Sequence, residues 1–310
     1  MNLPSPLADL HRHLDGSLRP STVAELAAEL GHRVPPDLAF VPGMGLAAAL
    51  SRFAFTLSLL QTPQAVTRVA AEMCEDAAAE AVSTLEIRFA PQLHLHQGAS
   101  IEAIVDAALQ GIAGRAGLIL CGLYGEPPSL LSLLVAVARS RPWVVGIDLA
   151  GGPSGSHSVR LADYAPAFAQ AADLGLGRTV HAGEGRPPAE IREALEILHA
   201  QRSGHGTTLL QDPSVTDLVI RRRVLIEACP TSNMHTGVIG SVADHPLPDW
   251  LDRGVLACVC ADNTLLSATD ARQELDRVAQ IPGMDARKLA QIVAAGHAGA
   301  FPCPRADRHV

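Results

Sequence analysis

Short apolar runs bounded by turn residues alternate along this chain with longer Ala- and Leu-rich stretches whose apolar positions fall three and four apart. The short runs occupy 7–14, 84–89, 118–123, 143–149, 179–181, 203–205, 224–229 and 256–261. Near-continuous apolar runs of this length read as strands buried on both faces, and the three-and-four spacing reads as amphipathic helix. Helical patterns cover 65–81, 101–116, 189–200 and 271–300, among others. Buried strands separated by helices predict a parallel sheet covered on its outer face. Eight such units predict an α/β fold, a single (β/α)8 TIM-type barrel domain over 1–310, with its site at the C-terminal ends of the strands. The alternative is a doubly wound open sheet, but no Gly-x-Gly-x-x-Gly follows an early strand. The stretch 20–62 carries extra helical segments after the first strand, expected to cap the barrel mouth.

Composition narrows the partners. Of 310 residues, 48% are hydrophobic and 18% charged, enough for a large core. A formal charge of −8 argues against nucleic acid and anionic membranes. The densest basic cluster, Arg221-Arg222-Arg223, reads as a solvated helix end. No cationic stretch followed by an apolar one opens the chain, and no uncharged run is long enough to cross a bilayer. The six cysteines form no Cys-x-x-Cys pair, and those at 121, 229, 258 and 260 sit in apolar runs. A reduced, cytoplasmic protein is expected, with a small molecule as partner and no oligomeric state fixed by the pattern. Lys288 is the only lysine and falls in a helical pattern, so chemistry needing a lysine at a strand end has no candidate.

Polar residues cluster where the strands end. His11 and His13 are separated by one residue on a strand, so both rings share a face. The fourth strand offers Asp148 and then Gly151-Gly152. The fifth offers His181-Ala182-Gly183-Glu184, the sixth His205 between two glycines, and the eighth Asp262-Asn263. Each alone has an ordinary explanation, such as a loop histidine or a helix cap. Gathered at one mouth, three histidines and a carboxylate suit zinc or another borderline divalent ion with a position left for water. Glu184 lies three residues after His181 and would face the same cavity, able to give a proton while hydroxide attacks an adjacent carbon. His205 and Asp262 can orient or deprotonate the water.

The segments His11-Arg12-His13-Leu14-Asp15-Gly16-Ser17-Leu18-Arg19-Pro20, His181-Ala182-Gly183-Glu184, Ser203-Gly204-His205-Gly206, Cys229-Pro230-Thr231-Ser232-Asn233 and Asp262-Asn263 resemble the adenosine deaminase family of the metal-dependent amidohydrolases. Glu86-Ile87-Arg88-Phe89-Ala90-Pro91 and Asp148-Leu149-Ala150-Gly151 match as well, in the family's order from about residue 7 to 270. The resemblance implies one Zn2+ held by His11, His13, His181 and Asp262. It implies Glu184 as proton donor to purine N1 and His205 and Asp262 assisting the water. It sets His13, Asp15, Gly151 and Phe53 against the substrate, Gly151 on N3 and Asp15 on a ribose hydroxyl.

Two departures bear on specificity. Asn263 stands where many relatives carry a second aspartate, and its amide can donate directly to purine N7. The stretch 151–156 lacks the acidic residue often found after that glycine. The expected reaction is deamination of adenosine or 2′-deoxyadenosine to the inosine product and ammonia. Alternatives are a modified adenosine (aminodeoxyfutalosine-like or N6-substituted) or free adenine, the last disfavoured by Asp15. A non-catalytic nucleoside-binding barrel would show a broken metal set, which this chain does not. The His-x-Glu and Pro-Cys-x-x-Cys signature of polynucleotide-editing deaminases is missing.

Other residues read more plainly. His94-Leu95-His96 falls in a polar loop. Glu86 and Arg88 alternate inward as a structural ion pair or hydrogen-bonding set within the barrel. Cys229 reads as an inert buried thiol. Phe53, Phe55 and Leu59 share helical spacing, which suits either core or a lid on the purine. His32, His157, His199, His245, His297 and His309 read as surface or loop residues, and His235 stays open.

Overall fold

The structure, a computed structural model, describes residues 3–152 and 157–303. Its strands are β1 (Leu7–His13), β2 (Val82–Phe89), β3 (Gly117–Leu123), β4 (Val144–Ala150), β5 (Gly177–Arg178), β6 (His181–Ala182), β7 (Arg202–His205), β8 (Leu225–Ala228) and β9 (Leu256–Val259). All pairings are parallel, in the orders β1-β2-β3-β4-β5 and β6-β7-β8-β9.

Backbone bonds join the two runs at both seams. The Thr179 amide donates to the Ile147 carbonyl of β4, while Gly204 of β7 donates to Val180. Opposite, Arg12 bridges Asp262, with His13 N donating to Asp262 O at 2.8 Å and Asp262 N to His11 O at 2.9 Å. The result is the expected α/β barrel. The expected fifth strand, 179–181, is instead two short pieces. Residues 177–178 pair only with β4 and 181–182 only with β7, so the chain changes partner across Thr179 and Val180.

Between the strands run α1 (Pro20–Glu29), α2 (Leu46–Leu59), α3 (Pro63–Ala79), α4 (Ile101–Ile112), α5 (Pro128–Ala138), α6 (Ala165–Asp173), α7 (Pro188–Glu196) and α8 (Pro213–Arg222). They continue as α9 (Pro230–His235), α10 (Leu247–Asp252), α11 (Ala271–Val278) and α12 (Ala286–Gly299). Scattered prolines find their use here: α1, α3, α5, α7, α8 and α9 all start on one, where the missing N–H would lack a partner anyway. Thr62, Ser100, Asp212, Asp270 and Asp285 cap α3, α4, α8, α11 and α12 with side-chain oxygens. The single helix expected over 271–300 is broken, because Pro282-Gly283 ends one helical run and Asp285 caps the next. Lys288 in α12 is buried, with Nζ on Asp252 and the Gly283 carbonyl.

After β1 the chain leaves the barrel for α1 and α2, and α2 brings Leu46, Ala49, Leu50 and Phe53 to the C-terminal mouth. Among the described residues no helix is long and apolar enough to cross a membrane.

Candidate active site

Alternation along β1 delivers His11 and His13 to the same place, at the strand's C-terminal end. His11 Nε2 lies 3.1 Å and His13 Nε2 3.2 Å from His181 Nε2. Asp262 Oδ1 lies 3.7 Å from His11 Nε2 and 3.5 Å from His13 Nε2. Four donor atoms on one tetrahedron with metal bonds of about 2.0–2.1 Å would lie about 3.3 Å apart, so the spacing fits one ion.

The outer nitrogens make the case stronger. His11 Nδ1 meets Glu227 Oε2 at 2.7 Å and His181 Nδ1 meets Asp148 Oδ2 at 3.0 Å. Carboxylates only accept, so both rings carry their proton on Nδ1 and leave a bare Nε2 lone pair. In their neutral form the His11 and His181 rings so held turn their Nε2 lone pairs toward one point from 3.1 Å apart, where one cation fits between them. Burial pushes His11 and His13 well below the usual imidazole range, which favours the neutral form that a metal ligand requires. For His181, burial acts downward but the Asp148 carboxylate outweighs it.

Beneath the rings lies a buried charge network. Arg88 Nη1 donates to Asp148 Oδ2 and Nη2 to Glu227 Oε2, both at 2.8 Å. Arg202 pairs with Glu86 and, at 2.7 Å, with Glu227. Glu86 and Arg88 thus belong to the expected hydrogen-bonding set within the barrel and do not pair with each other: each reaches across to another strand. Glu227 had no assigned role. The available signal was a carboxylate inside the apolar run 224–229, a place a charge occupies only with partners.

Above the four donors is a cavity of about 60 Å³ lined by Glu184, His205, Asn263, Gly151 and Phe53, with His13, His181 and Asp262 at its floor. Glu184 is buried, and its carboxyl pKa is raised by that burial. The Thr236 hydroxyl donates to its Oε1 at 3.1 Å, and Arg186 Nη1 stands 3.9 Å from its Oε2. His205 lies with Nδ1 3.0 Å from the Asn233 amide nitrogen. With that amide donating, the neutral ring carries its proton on Nε2. Burial lowers the His205 pKa to about 3. Asn233 and Thr236 were not singled out from sequence, since the first is one letter of a matched motif and the second follows it in the same helical turn.

His205 and Asp262 adopt left-handed backbone conformations, φ +65° and +60°, at the ends of their strands. Each costs on the order of 1–3 kcal/mol in a residue other than glycine, strain that gathers at functional sites. Gly16 serves the opposite need: a Cβ there would lie 1.9 Å from Asn263 Oδ1. Asn263 sits in the space glycine leaves, its Oδ1 buried and without a partner.

Asp15 does not line this cavity but an adjoining one of about 400 Å³, which shares His13, Phe53 and Gly151 with it. Burial raises its pKa to about 7, and its Oδ1 has no hydrogen-bond partner. Phe53 stands edge-on to His13, ring centroids 6.4 Å apart, whereas Leu59 of the same helix is core. The residues 153–156 of the loop after Gly152 lie outside the described residues.

Among the remaining histidines two expectations fail. His94 is not in a polar loop: it is fully buried, bonds the Leu60 carbonyl through Nδ1 and packs on Phe89. His245 is not at the surface but buried against Trp250, where its Nδ1 accepts from the Leu247 amide. His235 packs on Phe40 and Ser267, behind the cavity wall. His309 lies outside the described residues. Cys229 is fully buried with its thiol pKa pushed up by burial, so it stays protonated.

The family model described as Adenosine deaminase matches residues 6–309. A probable adenosine deaminase of Dictyostelium discoideum is 36% identical over 84% of this chain, which spans only 36% of that protein's length. An adenosine deaminase of Mycobacterium marinum is 36% identical over 90% of this chain and 85% of its own. Among solved structures, the adenine deaminase of Arthrobacter aurescens superposes with TM-score 0.87 at 25% identity, covering 96% of this chain and 94% of its own. The N6-methyl-AMP deaminase of Arabidopsis thaliana superposes at 0.83 and 26% identity, covering 96% and 92%. From its first strand to its C-terminal segment, this chain is a member of the adenosine deaminase family, a hydrolytic deaminase of the amidohydrolase fold.

Proposed function

We propose that this protein hydrolytically deaminates a 6-aminopurine nucleoside, with adenosine and 2′-deoxyadenosine as parent substrates, at one zinc ion per chain bound by His11, His13, His181 and Asp262. The observation that carries this reading is the convergence of the His11 and His13 Nε2 atoms, 3.1 and 3.2 Å from His181 Nε2, beside the Asp262 carboxylate. A bound zinc supplies a water that ionises near neutrality. The chain's own groups do the rest. Glu184, whose burial favours the protonated form, presents a carboxyl proton to purine N1, so that C6 can accept the attacking oxygen. His205, held by Asn233, directs its Nε2–H at that oxygen, and the second oxygen of Asp262 takes its proton. The proton taken by Asp262 then passes to the 6-amino group, which leaves as ammonia as its bond to C6 breaks, while the new hydroxyl returns its proton to Glu184 and becomes the carbonyl. The Asn263 amide donates to N7 and the Gly151 N–H to N3. Phe53 covers the ring, and the unpartnered Asp15 oxygen accepts from a ribose hydroxyl.

The test joins metal analysis to a substrate panel. Purified protein is expected to carry one zinc per chain, to lose turnover on chelation and to regain it on zinc addition. Well under one zinc per chain, with no activity after zinc is added, would favour a non-catalytic binder. Values of kcat/KM for adenosine, 2′-deoxyadenosine, adenine and aminodeoxyfutalosine then rank the substrates. Adenosine turning over hundreds of times more slowly than another of these would displace it as parent.

Gly16→Ala probes the N7 contact. Its methyl group would displace the Asn263 amide, and Gly16 cannot retreat, since Leu265 N donates to its carbonyl at 3.1 Å. KM for adenosine is expected to rise roughly 3- to 10-fold, the scale of one lost hydrogen bond, with kcat less affected. An unchanged KM would remove Asn263 from ring recognition.

A further inference from the structure

The cavity of about 400 Å³ beside the ring site is walled by Leu50, Phe53, Leu93, Leu123, Cys121 and Tyr124. The two polar tips among these are already engaged. The Tyr124 hydroxyl donates to the His181 carbonyl at 3.2 Å, and the Cys121 thiol lies 3.7 Å from Asp148 Oδ2. What faces the space is therefore mostly carbon, apart from the rings of His13 and His157 and the free oxygen of Asp15. Leu50 is 45% exposed on α2 and waits to be covered from this side.

Charge sets a second limit. Among the described residues, no lysine or arginine lines the cavity. Arg186 sits behind Gly152, outside the cavity lining, with Nε on Glu190, Nη2 on the His181 carbonyl and Nη1 3.9 Å from Glu184 Oε2. A phosphate dianion placed here would lose its water beside the Asp15 carboxyl with no lysine or arginine in the lining to replace it. A free primary hydroxyl would find one free acceptor, the Asp15 oxygen, and otherwise leucine side chains. A hydrophobic substituent would gain wherever the other two lose.

We propose that this cavity receives an uncharged apolar group carried on C5′ of the nucleoside, an alkylthio or comparable carbon-rich arm in place of the 5′-hydroxyl. Leu50, Leu93 and Leu123 select for it, and Asp15 holds a ribose hydroxyl where arm and ring site meet. The proposal rests on the deaminase reading above, which sets the purine at the four-donor end.

The zinc-loaded protein is assayed for ammonia release with adenosine, 5′-butylthio-5′-deoxyadenosine and AMP. The butylthio compound is expected to exceed adenosine at least 5-fold in kcat/KM, and AMP to fall at least 50-fold below adenosine. Leu123→Asp should cut the butylthio-to-adenosine ratio at least 5-fold, and Leu93→Gln gives the same readout should Leu123→Asp fail to fold. A butylthio advantage below 5-fold, AMP within 50-fold of adenosine, or an unmoved ratio in both variants overturns the proposal and leaves the deaminase reading standing. No ammonia from any of the three removes the deaminase reading itself, and this proposal with it.

Discussion

Glu184→Gln is expected to leave the protein folded and able to bind zinc and nucleoside, yet to lower kcat by about 10²- to 10⁴-fold, the scale of a lost general acid. The substitution preserves volume, and its amide can still accept from Thr236, which sits 3.1 Å from Oε1. What it removes is a transferable proton. Burial raises the Glu184 pKa, so the native state holds that proton at pH values where an unfolded chain would release it. Two consequences have definite signs. Activity of the parent enzyme falls on the alkaline side as Glu184 ionises, and this limb vanishes with the residue. Stability also declines as pH rises from the ordinary carboxylate range through the raised native value, because the unfolded state there binds fewer protons. Glu184→Gln should therefore have the higher Tm at neutral pH while being nearly inactive. Metal content, a binding isotherm with a non-reacting purine nucleoside and thermal melts at several pH values check this. Near-normal turnover in the variant would take Glu184 out of the mechanism.

How much of this was legible follows from which groups announce themselves. The two histidines of β1 were readable because strand alternation fixes where i and i+2 point. His181, Asp262, Glu184 and His205 were readable because each follows an apolar run at the point where a barrel exposes its strand ends. Cooperation across the barrel was hidden. Glu86 and Arg88 are neighbours on one face of β2, yet Arg202 of β7 takes the first, and Asp148 and Glu227 of β4 and β8 take the second. Sequence separation of 60 to 139 residues leaves no local trace of such pairs. Element ends were blurred for a related reason. The partner change at Thr179 and Val180 is a property of two neighbouring strands and not of that segment's hydrophobicity. The buried His245 was misjudged because it sits among charged and proline-rich neighbours in sequence, while in space it lies on Trp250.

Arg88→Met is expected to destabilise the protein by about 3–5 kcal/mol, the cost of stranding buried charges. Arg88, Asp148 and Glu227 are all fully buried, and the guanidinium alone connects the two carboxylates. Its third bond goes from Nη2 to the Leu10 carbonyl, one residue before His11. Methionine fills much of the volume, so a cavity explains little of the loss and charge most of it. Arg202 still serves Glu227 and His181 still serves Asp148, which sets the figure below that of a wholly isolated ion. Because the same carboxylates fix the proton of His11 and His181 on Nδ1, metal affinity should fall by about 10–100-fold as well. Arg88→Lys separates the two effects: it keeps one positive charge but cannot fork to both acceptors. It should recover part of the stability and less of the affinity. Denaturant melts of the apoprotein and chelator competition measure these independently. Were Arg88→Met as stable as the parent, the buried network would not be what holds the two imidazoles in place.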